Sequence, residues 1–250
     1  MPRQERKSSS TGIYHVLLRG INQQRIFEQA EDYIQFLDYL YEVKKISGFT
    51  LYAYCIMNNH IHLLLKEGAE PLAIVFKRIG TRYAHWFNKK YGRSGHLFQD
   101  RFRSEPVEND AYFISVLVYI NQNPVKANIC RNAWDYEWSG RRFLGRGDGI
   151  IDHEELTSIV SIDIIKKKEQ ELLPDGSFEP MTGRYNAYAD KDIVLMMRQL
   201  SGAKNASEFQ KLPIGEQQLL ISRMRSEKVP IRQIARVTGM SKGIVEHWGK

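Results

Sequence analysis

The stretch "FTLYAYCIMNNHIHLLLK", residues 49–66, decides the fold because it predicts two strands joined by a tight turn. Residues 49–57 and 60–66 are runs of aromatic and aliphatic side chains, which are typical of buried strands. Asn58 and Asn59 between them supply turn chemistry. The stretch therefore predicts an antiparallel β-hairpin.

Further elements follow outward from this hairpin. Residues 12–20 and 96–108 predict two more strands, and residues 30–48, 71–88 and 109–124 predict helices with apolar residues at helical spacing. The resulting order is strand, helix, strand, strand, helix, strand, helix. It predicts an α+β fold: a ferredoxin-like βαββαβ antiparallel sheet with an additional helix. We expect the helices to pack on one face of the sheet and to leave the other free for a substrate.

The chain divides into three predicted parts. Residues 1–145 form the sheet domain, residues 146–185 a linker, and residues 186–250 a helical region. Near its end, residues 229–248 predict two short helices around Gly239, an arrangement typical of an all-α helix-turn-helix.

The charge of the chain points to a polyanionic partner. Its 36 lysines and arginines exceed its 29 acidic residues, with a net charge of +7 and a pI near 9.3. The sequence predicts no membrane span, and its first residues lack the apolar core of a secretory signal, so we expect a cytoplasmic protein. Cys55 and Cys130 are isolated and predict free thiols.

The histidine pair on the second strand of the hairpin is the first candidate for chemistry. Residues two apart on a strand point to the same face, so His60 and His62 project together while Ile61 enters the core. Two such imidazoles can hold one divalent cation. Ordinary hydrogen-bonded histidines on a strand are the alternative, and the spacing by itself does not exclude it.

The helix at residues 109–124 offers a second candidate. Tyr119 and Asn123 are four residues apart and share a helix face. Core packing of the tyrosine and a helix-ending role for the asparagine are the alternatives. With the two histidines, these residues make a coherent set in which a metal is held by two imidazoles and an amide and Tyr119 acts as the nucleophile.

Three motifs in this order, "NNHIHLLL", "GRSGHLFQDRF" and "YINQNPVKA", closely resemble the transposase family of HUH single-strand endonucleases. Within it, residues 10–145 are similar to the REP-associated tyrosine transposases and their insertion-sequence relatives. The resemblance implies that His60 and His62 bind the metal, that Tyr119 is the nucleophile and that Asn123 is the third ligand. Insertion-sequence relatives often have glutamine at this last position, so Gln122 competes for the role.

The resemblance also implies a reaction, a cofactor and a partner. The reaction is cleavage and rejoining of single-stranded or hairpin DNA through a 5′-phosphotyrosine, with Mg²⁺ or Mn²⁺ as the ion that suits mixed nitrogen and oxygen donors. Two alternatives stay open: a catalytically silent hairpin-binding regulator, and a ferredoxin-like RNA-binding protein. We expect a monomer or a homodimer.

Basic residues near aromatic ones suit single-stranded DNA. On the sheet domain the candidate DNA contacts are Arg19, Arg78, Arg82, Arg101 and Arg103, the last two on one face of the predicted last strand. On the second helix of the C-terminal pair, Ser241 and Lys242 are candidate contacts to duplex DNA, and Ser241 is also the expected N-cap.

Overall fold

The computed structural model describes residues 7–144, 149–171, 190–227 and 229–249. Its sheet has four strands in the order β2-β3-β1-β4, and each neighbouring pair is antiparallel. The strands are β1 (Ile13–Arg19), β2 (Thr50–Ile56), β3 (His60–Lys66) and β4 (Arg103–Pro106). The predicted α+β class and the predicted hairpin are confirmed.

Helices follow the strands in the predicted alternation. Within the described residues they are α1 (Ala30–Ser47), α2 (Leu72–Tyr91), α3 (Asp110–Lys126), α4 (His153–Ile159), α5 (Ile162–Glu171), α6 (Asp190–Ser201), α7 (Ala206–Phe209), α8 (Ile214–Ser226), α9 (Ile231–Thr238) and α10 (Lys242–Trp248). No helix in this part of the chain is long and apolar enough to cross a membrane.

The start of α1 shows how local sequence sets these boundaries. Asp32 is fully buried, and its carboxylate accepts hydrogen bonds from the backbone N–H groups of Glu28 and Gln29 at 2.7 and 2.9 Å. These are donors that a helix start would otherwise leave unsatisfied. At the other end, Gly48 adopts the left-handed conformation, with φ of 66°, that closes many helices.

The last strand is shorter than predicted. Of residues 96–108, only Arg103–Pro106 pair continuously with β1. The preceding residues reach the sheet through one isolated bridge, between Gly20 and Phe98. Arg101 is therefore an exposed residue before the strand, and the prediction that it shares a strand face with Arg103 is wrong.

The two faces of the sheet are covered differently. Side chains alternate along β3, so Ile61 and Leu63 point to one face and His60 and His62 to the other, which we call the histidine face. Helix α3 packs across β2 and β3, and its Tyr119 contacts the ring of His62. The prediction that this face is free for a substrate is therefore wrong over β2, where residues 51–56 are buried. The histidine face stays partly open along β1 and β4.

The hydrophobic core around the sheet also includes residues of helices α4 and α5. These helices lie in residues 146–185, which the sequence predicts to be a linker. Leu156, Val160 and Ile165 are buried in this core. Glu169 of α5 forms a buried ion pair with Arg141, with 2.7 Å between its Oε1 and the arginine Nε. The domain boundaries remain predictions.

A second core joins the C-terminal helices α6 to α10 through residues such as Phe209, Ile221 and Ile234. Gly239 adopts φ of 69° between α9 and α10, and the Ser241 side chain accepts a hydrogen bond from the Ile244 N–H at 3.2 Å. The predicted pair of short helices and the predicted N-cap are thus both present. Helix α9 contacts the short 3₁₀ turn Ile21–Gln23 that follows β1.

Candidate active site

Pairing of β1 with β3 assembles the histidine face. Residues directly opposite each other in an antiparallel pair share a face. Arg19 lies opposite His60 and Leu17 opposite His62, while His15 lies one pair further along. Strands β1 and β3 therefore collect three histidines and one arginine on one face.

The three imidazoles are in mutual contact. Nε2 of His15 lies 2.9 Å from Nδ1 of His62, and the two rings stack with centroids 5.2 Å apart. The rings of His60 and His62 are nearly perpendicular, with centroids 4.9 Å apart. Nδ1 of His60 lies 2.6 Å from the side-chain oxygen of Asn59.

Helix α3 brings Tyr119 to this cluster. The helix begins at Asn109, whose side chain accepts a hydrogen bond from the Tyr112 N–H at 2.8 Å. It continues past Pro124 to Lys126, two residues further than predicted. The ring of Tyr119 meets His62 edge-on, with centroids 5.5 Å apart, and also contacts His15 at 5.9 Å.

The two candidates for the third ligand point in different directions. Asn123 donates from Nδ2 to the backbone carbonyl of Tyr119 at 2.9 Å. Gln122 is buried, and its Nε2 donates to the backbone carbonyl of Glu169 on α5 at 3.3 Å. Asn123 is therefore the candidate beside the tyrosine, whereas Gln122 is turned toward α5.

Burial keeps the histidines neutral at physiological pH. It lowers the pKa of His15 to about 4. Burial and the nearby charge of Arg19 lower the pKa of His60 to about 3. The pKa of His62 lies well below its ordinary value because of burial and the adjacent histidines. All three rings can therefore offer lone pairs at neutral pH.

The hydroxyl of Tyr119 is also held in its neutral form. Burial raises the pKa of Tyr119, while a hydrogen bond with the Asn123 side chain and the charge of Arg19 oppose that rise. A phenol attacks poorly unless its proton is removed or its target is activated. The hydrogen bond with Asn123 and the charge of Arg19 are thus the two features that favour a phenolate here.

Positive charge borders the tyrosine. Burial and the charge of Arg103 lower the pKa of Arg19, and its Nε is buried without a hydrogen-bond partner among the described residues. Arg103 of β4 lies opposite Leu17 and so projects to the histidine face. The Lys126 amine lies 5.3 Å from the centroid of the Tyr119 ring. Basic groups gathered in this way suit an anion such as a phosphodiester.

Residues 8–123 match the family described as Transposase IS200 like. Over these residues the chain resembles the IS200-like transposase family. We call residues 8–123 the transposase domain after this match, and they include the histidine pair, Tyr119 and Asn123.

One solved structure supports the same fold for the transposase domain. The structure of a REP-associated tyrosine transposase bound to a REP hairpin matches with a TM-score of 0.50 and 19% identity, over 59% of this chain and 87% of that chain. A candidate transposase from Deinococcus radiodurans R1 matches with a TM-score of 0.35 and 16% identity, over 48% of this chain and 96% of that one. A search of curated proteins found no match.

The donor set of the transposase domain fits a divalent ion of the Mg²⁺ or Mn²⁺ type. His60 and His62 offer nitrogen, Asn123 offers an amide oxygen, and the set lacks the thiolates that favour zinc. Among the described residues, no group of three or more histidine, cysteine, aspartate or glutamate side chains could hold a metal ion. The amide of Asn123 is thus the donor that would complete this pair.

Several predicted DNA contacts of the transposase domain lie away from the histidine cluster. Arg78 forms an ion pair with Glu70 at 2.6 Å, and Arg82 forms one with Glu42 at 2.6 Å. Both arginines belong to α2, which packs against α1. Among the predicted arginines, Arg19 and Arg103 are the two that the sheet places on the histidine face.

Two residues of the site were missed by reasoning from the sequence. His15 lies within the predicted strand 12–20, but its contact with His62 depends on the register between β1 and β3. Asn59 was interpreted as a turn residue, whereas its side chain also reaches His60. Each could have been found as a polar residue in an apolar stretch, because His15 lies within β1 and Asn59 directly precedes β3.

Proposed function

We propose that the chain is a metal-dependent single-strand DNA endonuclease and transposase. The observation that carries this proposal is the contact of Tyr119 on α3 with His62 on β3, inside the region that matches the transposase family. A tyrosine, two same-face histidines and nearby positive charge form a set that suits attack on a phosphodiester.

In this reaction the hydroxyl oxygen of Tyr119 attacks a phosphorus atom of the DNA. A bond forms between the tyrosine oxygen and phosphorus, and the bond from phosphorus to the 3′ oxygen breaks. The phenol proton ends on the departing 3′ oxygen, which leaves as a hydroxyl, and the 5′ side stays attached as a 5′-phosphotyrosine. Attack by a different 3′ hydroxyl reverses these steps and rejoins the strand, so no external energy source is needed.

His60, His62 and Asn123 would hold the divalent ion. When bound, Mg²⁺ or Mn²⁺ polarises the scissile phosphate and offsets charge on the leaving oxygen. Arg19 and Arg103 would bind phosphate oxygens beside it, because both project from the sheet to the histidine face. The charge of Arg19 also favours the phenolate of Tyr119.

Hairpin DNA is the proposed substrate class. The structural relative with the same fold is bound to a REP hairpin. The open part of the histidine face along β1 and β4 offers a place for an unpaired strand. The proposed helix-turn-helix of α9 and α10, with Ser241 and Lys242 at the start of the second helix, would contact duplex DNA.

The test is incubation of the full chain with a pool of DNA hairpins carrying single-stranded flanks and Mn²⁺, followed by denaturing electrophoresis and sequencing of trapped DNA. The proposal expects a covalent protein–DNA adduct that depends on the metal. Hairpin binding without any adduct from the wild-type chain would instead support a catalytically silent regulator. Preference for RNA of the same sequence would support an RNA-binding protein.

A further inference from the structure

The hydrogen bonds of Asn59 determine which nitrogen of His60 carries a proton. Nδ2 of Asn59 donates to the backbone carbonyl of Gln23 at 3.0 Å, which orients the amide. Its Oδ1 then faces Nδ1 of His60 at 2.6 Å. An amide oxygen only accepts hydrogen bonds, so Nδ1 of His60 must donate. The lone pair of the neutral ring therefore lies on Nε2.

The partner of His62 is His15, and this contact also leaves Nε2 as the nitrogen available for a ligand. Its Nδ1 lies 2.9 Å from Nε2 of His15, and at this separation one nitrogen donates while the other accepts. A ligand bond from His62 must therefore leave from Nε2. Nε2 has a free lone pair only when Nδ1 carries the proton and His15 accepts it.

We propose that His15 and Asn59 are positioning residues that hold His62 and His60 as Nδ1–H tautomers. Both Nε2 atoms then present lone pairs on the histidine face, where the ring contacts of the two histidines bring them together. The tautomer of His60 follows from its hydrogen bond with Asn59, whereas the direction of the His15–His62 hydrogen bond and the use of both lone pairs for a metal rest on the proposed function. Partners of this kind fix the orientation of a ligating ring and raise its basicity.

The stacking of His15 on His62 strengthens this assignment. The two rings lie 5.2 Å apart at an angle of 22°, so His15 limits rotation of the His62 ring as well as its tautomer. His15 is not a third ligand in this arrangement, because its Nε2 is occupied by His62. His15 therefore acts through His62, as Asn59 acts through His60.

The first experiment reads the tautomers directly. The full chain is labelled with ¹⁵N at its seven histidines, kept free of metal, and its imidazole nitrogens are recorded by long-range ¹H–¹⁵N correlation at pH 7.5. Variants His60→Gln and His62→Gln assign the two rings. The proposal expects a protonated Nδ1 and an unprotonated Nε2 in both. A protonated Nε2 on His62 or on His60 overturns it.

The second experiment measures Mn²⁺ binding by calorimetry. His15→Phe and Asn59→Leu each remove the acceptor, and we expect the dissociation constant to rise by about 10- to 100-fold. His15→Gln and Asn59→Asp keep an oxygen acceptor, and they should recover most of the affinity. Unchanged affinity in both His15→Phe and Asn59→Leu overturns the proposal.

The two experiments also separate this proposal from the proposed function. If His15→Phe does not fold, the tautomers of the wild-type protein still decide. A wild-type chain with both Nδ1–H tautomers that never forms a DNA adduct would contradict the proposed function alone. An active chain with the opposite tautomer at His62 would contradict the positioning role alone.

Discussion

The ring of Tyr119 stands at 89° to the ring of His62, with 5.5 Å between their centroids. These residues lie 57 positions apart, and the packing of α3 across β3 sets their separation. Because the contact is between a helix and a strand, it depends on both elements keeping their positions. Its functional consequences can be tested one residue at a time.

The first prediction concerns the nucleophile. Tyr119→Phe should abolish all detectable covalent adduct on hairpin DNA with Mn²⁺, since only the attacking hydroxyl is removed. Hairpin affinity and thermal stability should stay close to wild type. Tyr112→Phe is the matched control, because Tyr112 lies two helical turns earlier on α3, where its side chain hydrogen-bonds with Glu105. Equal loss of adduct in both variants would contradict the assignment.

The second prediction concerns Arg19, which lies opposite His60 on the histidine face. Arg19→Gln should reduce the rate of adduct formation by about 10- to 100-fold, the worth of a hydrogen bond to a charged group. Arg82→Gln should have a smaller effect, because Arg82 already forms an ion pair with Glu42. Single-turnover rates at saturating DNA distinguish the two. A greater loss in Arg82→Gln would assign the main phosphate contact to α2 instead.

The third prediction concerns the support behind α3. Glu169 pairs with Arg141 and accepts a hydrogen bond from Asn121 of α3 at 2.9 Å. Glu169→Ala leaves the buried Arg141 charge unpaired and should lower the free energy of unfolding by about 3–5 kcal/mol. Denaturant titration measures this change.

Glu171 offers the control for that measurement on the same helix. It forms an exposed ion pair with Lys168 at 2.7 Å. Glu171→Ala should lower the free energy of unfolding far less than Glu169→Ala does, since exposed pairs contribute little. Similar losses for both variants would show that the buried network is not what stabilises α5 on α3.

The fourth prediction concerns acid stability. The pKa of His15 is about 4 and that of His60 about 3, both below the ordinary value of 6.5. Between pH 6.5 and 4 the unfolded chain therefore binds more protons than the folded one, and stability falls as the pH falls. Each histidine changes the free energy of unfolding by up to about 1.4 kcal/mol per pH unit in this range.

Unfolding titrations between pH 7.5 and 5 measure this slope. The double variant His15→Gln, His60→Gln should reduce the slope, because two of the three histidines that must stay neutral are gone. A slope that is unchanged in the double variant would assign the acid sensitivity to other groups.

The fifth prediction concerns the C-terminal helices. Lys242→Ala should weaken hairpin binding and reduce the dependence of log affinity on log salt by about one unit. Adduct formation at saturating DNA should be unchanged. Lys204→Ala removes an exposed lysine of the same region outside the helix pair and serves as the control. Equal effects from both would indicate general charge attraction only.

Periodicity within single elements predicted much of this structure. The hairpin, the order of strands and helices, and the shared faces of His60 with His62 and of Tyr119 with Asn123 all follow from spacings of two or four residues. Such spacings are local, so the sequence carries them directly.

Relationships between elements were harder to predict. The contact of His15 with His62 depends on the register of β1 against β3, which long-range pairing sets. The choice between Asn123 and Gln122 depends on α5, whose Glu169 engages the glutamine. Arg101 was misplaced because only four residues of the last strand pair with β1.

The most direct test of the central claim is to locate the covalent bond. The metal-dependent adduct is digested with nuclease and then with trypsin, which releases residues 104–126 as one peptide holding Tyr112 and Tyr119. Fragmentation by mass spectrometry then identifies the modified side chain. We predict a nucleotide 5′-phosphate on Tyr119. A phosphate on Tyr112, or on any residue outside this peptide, would contradict the claim.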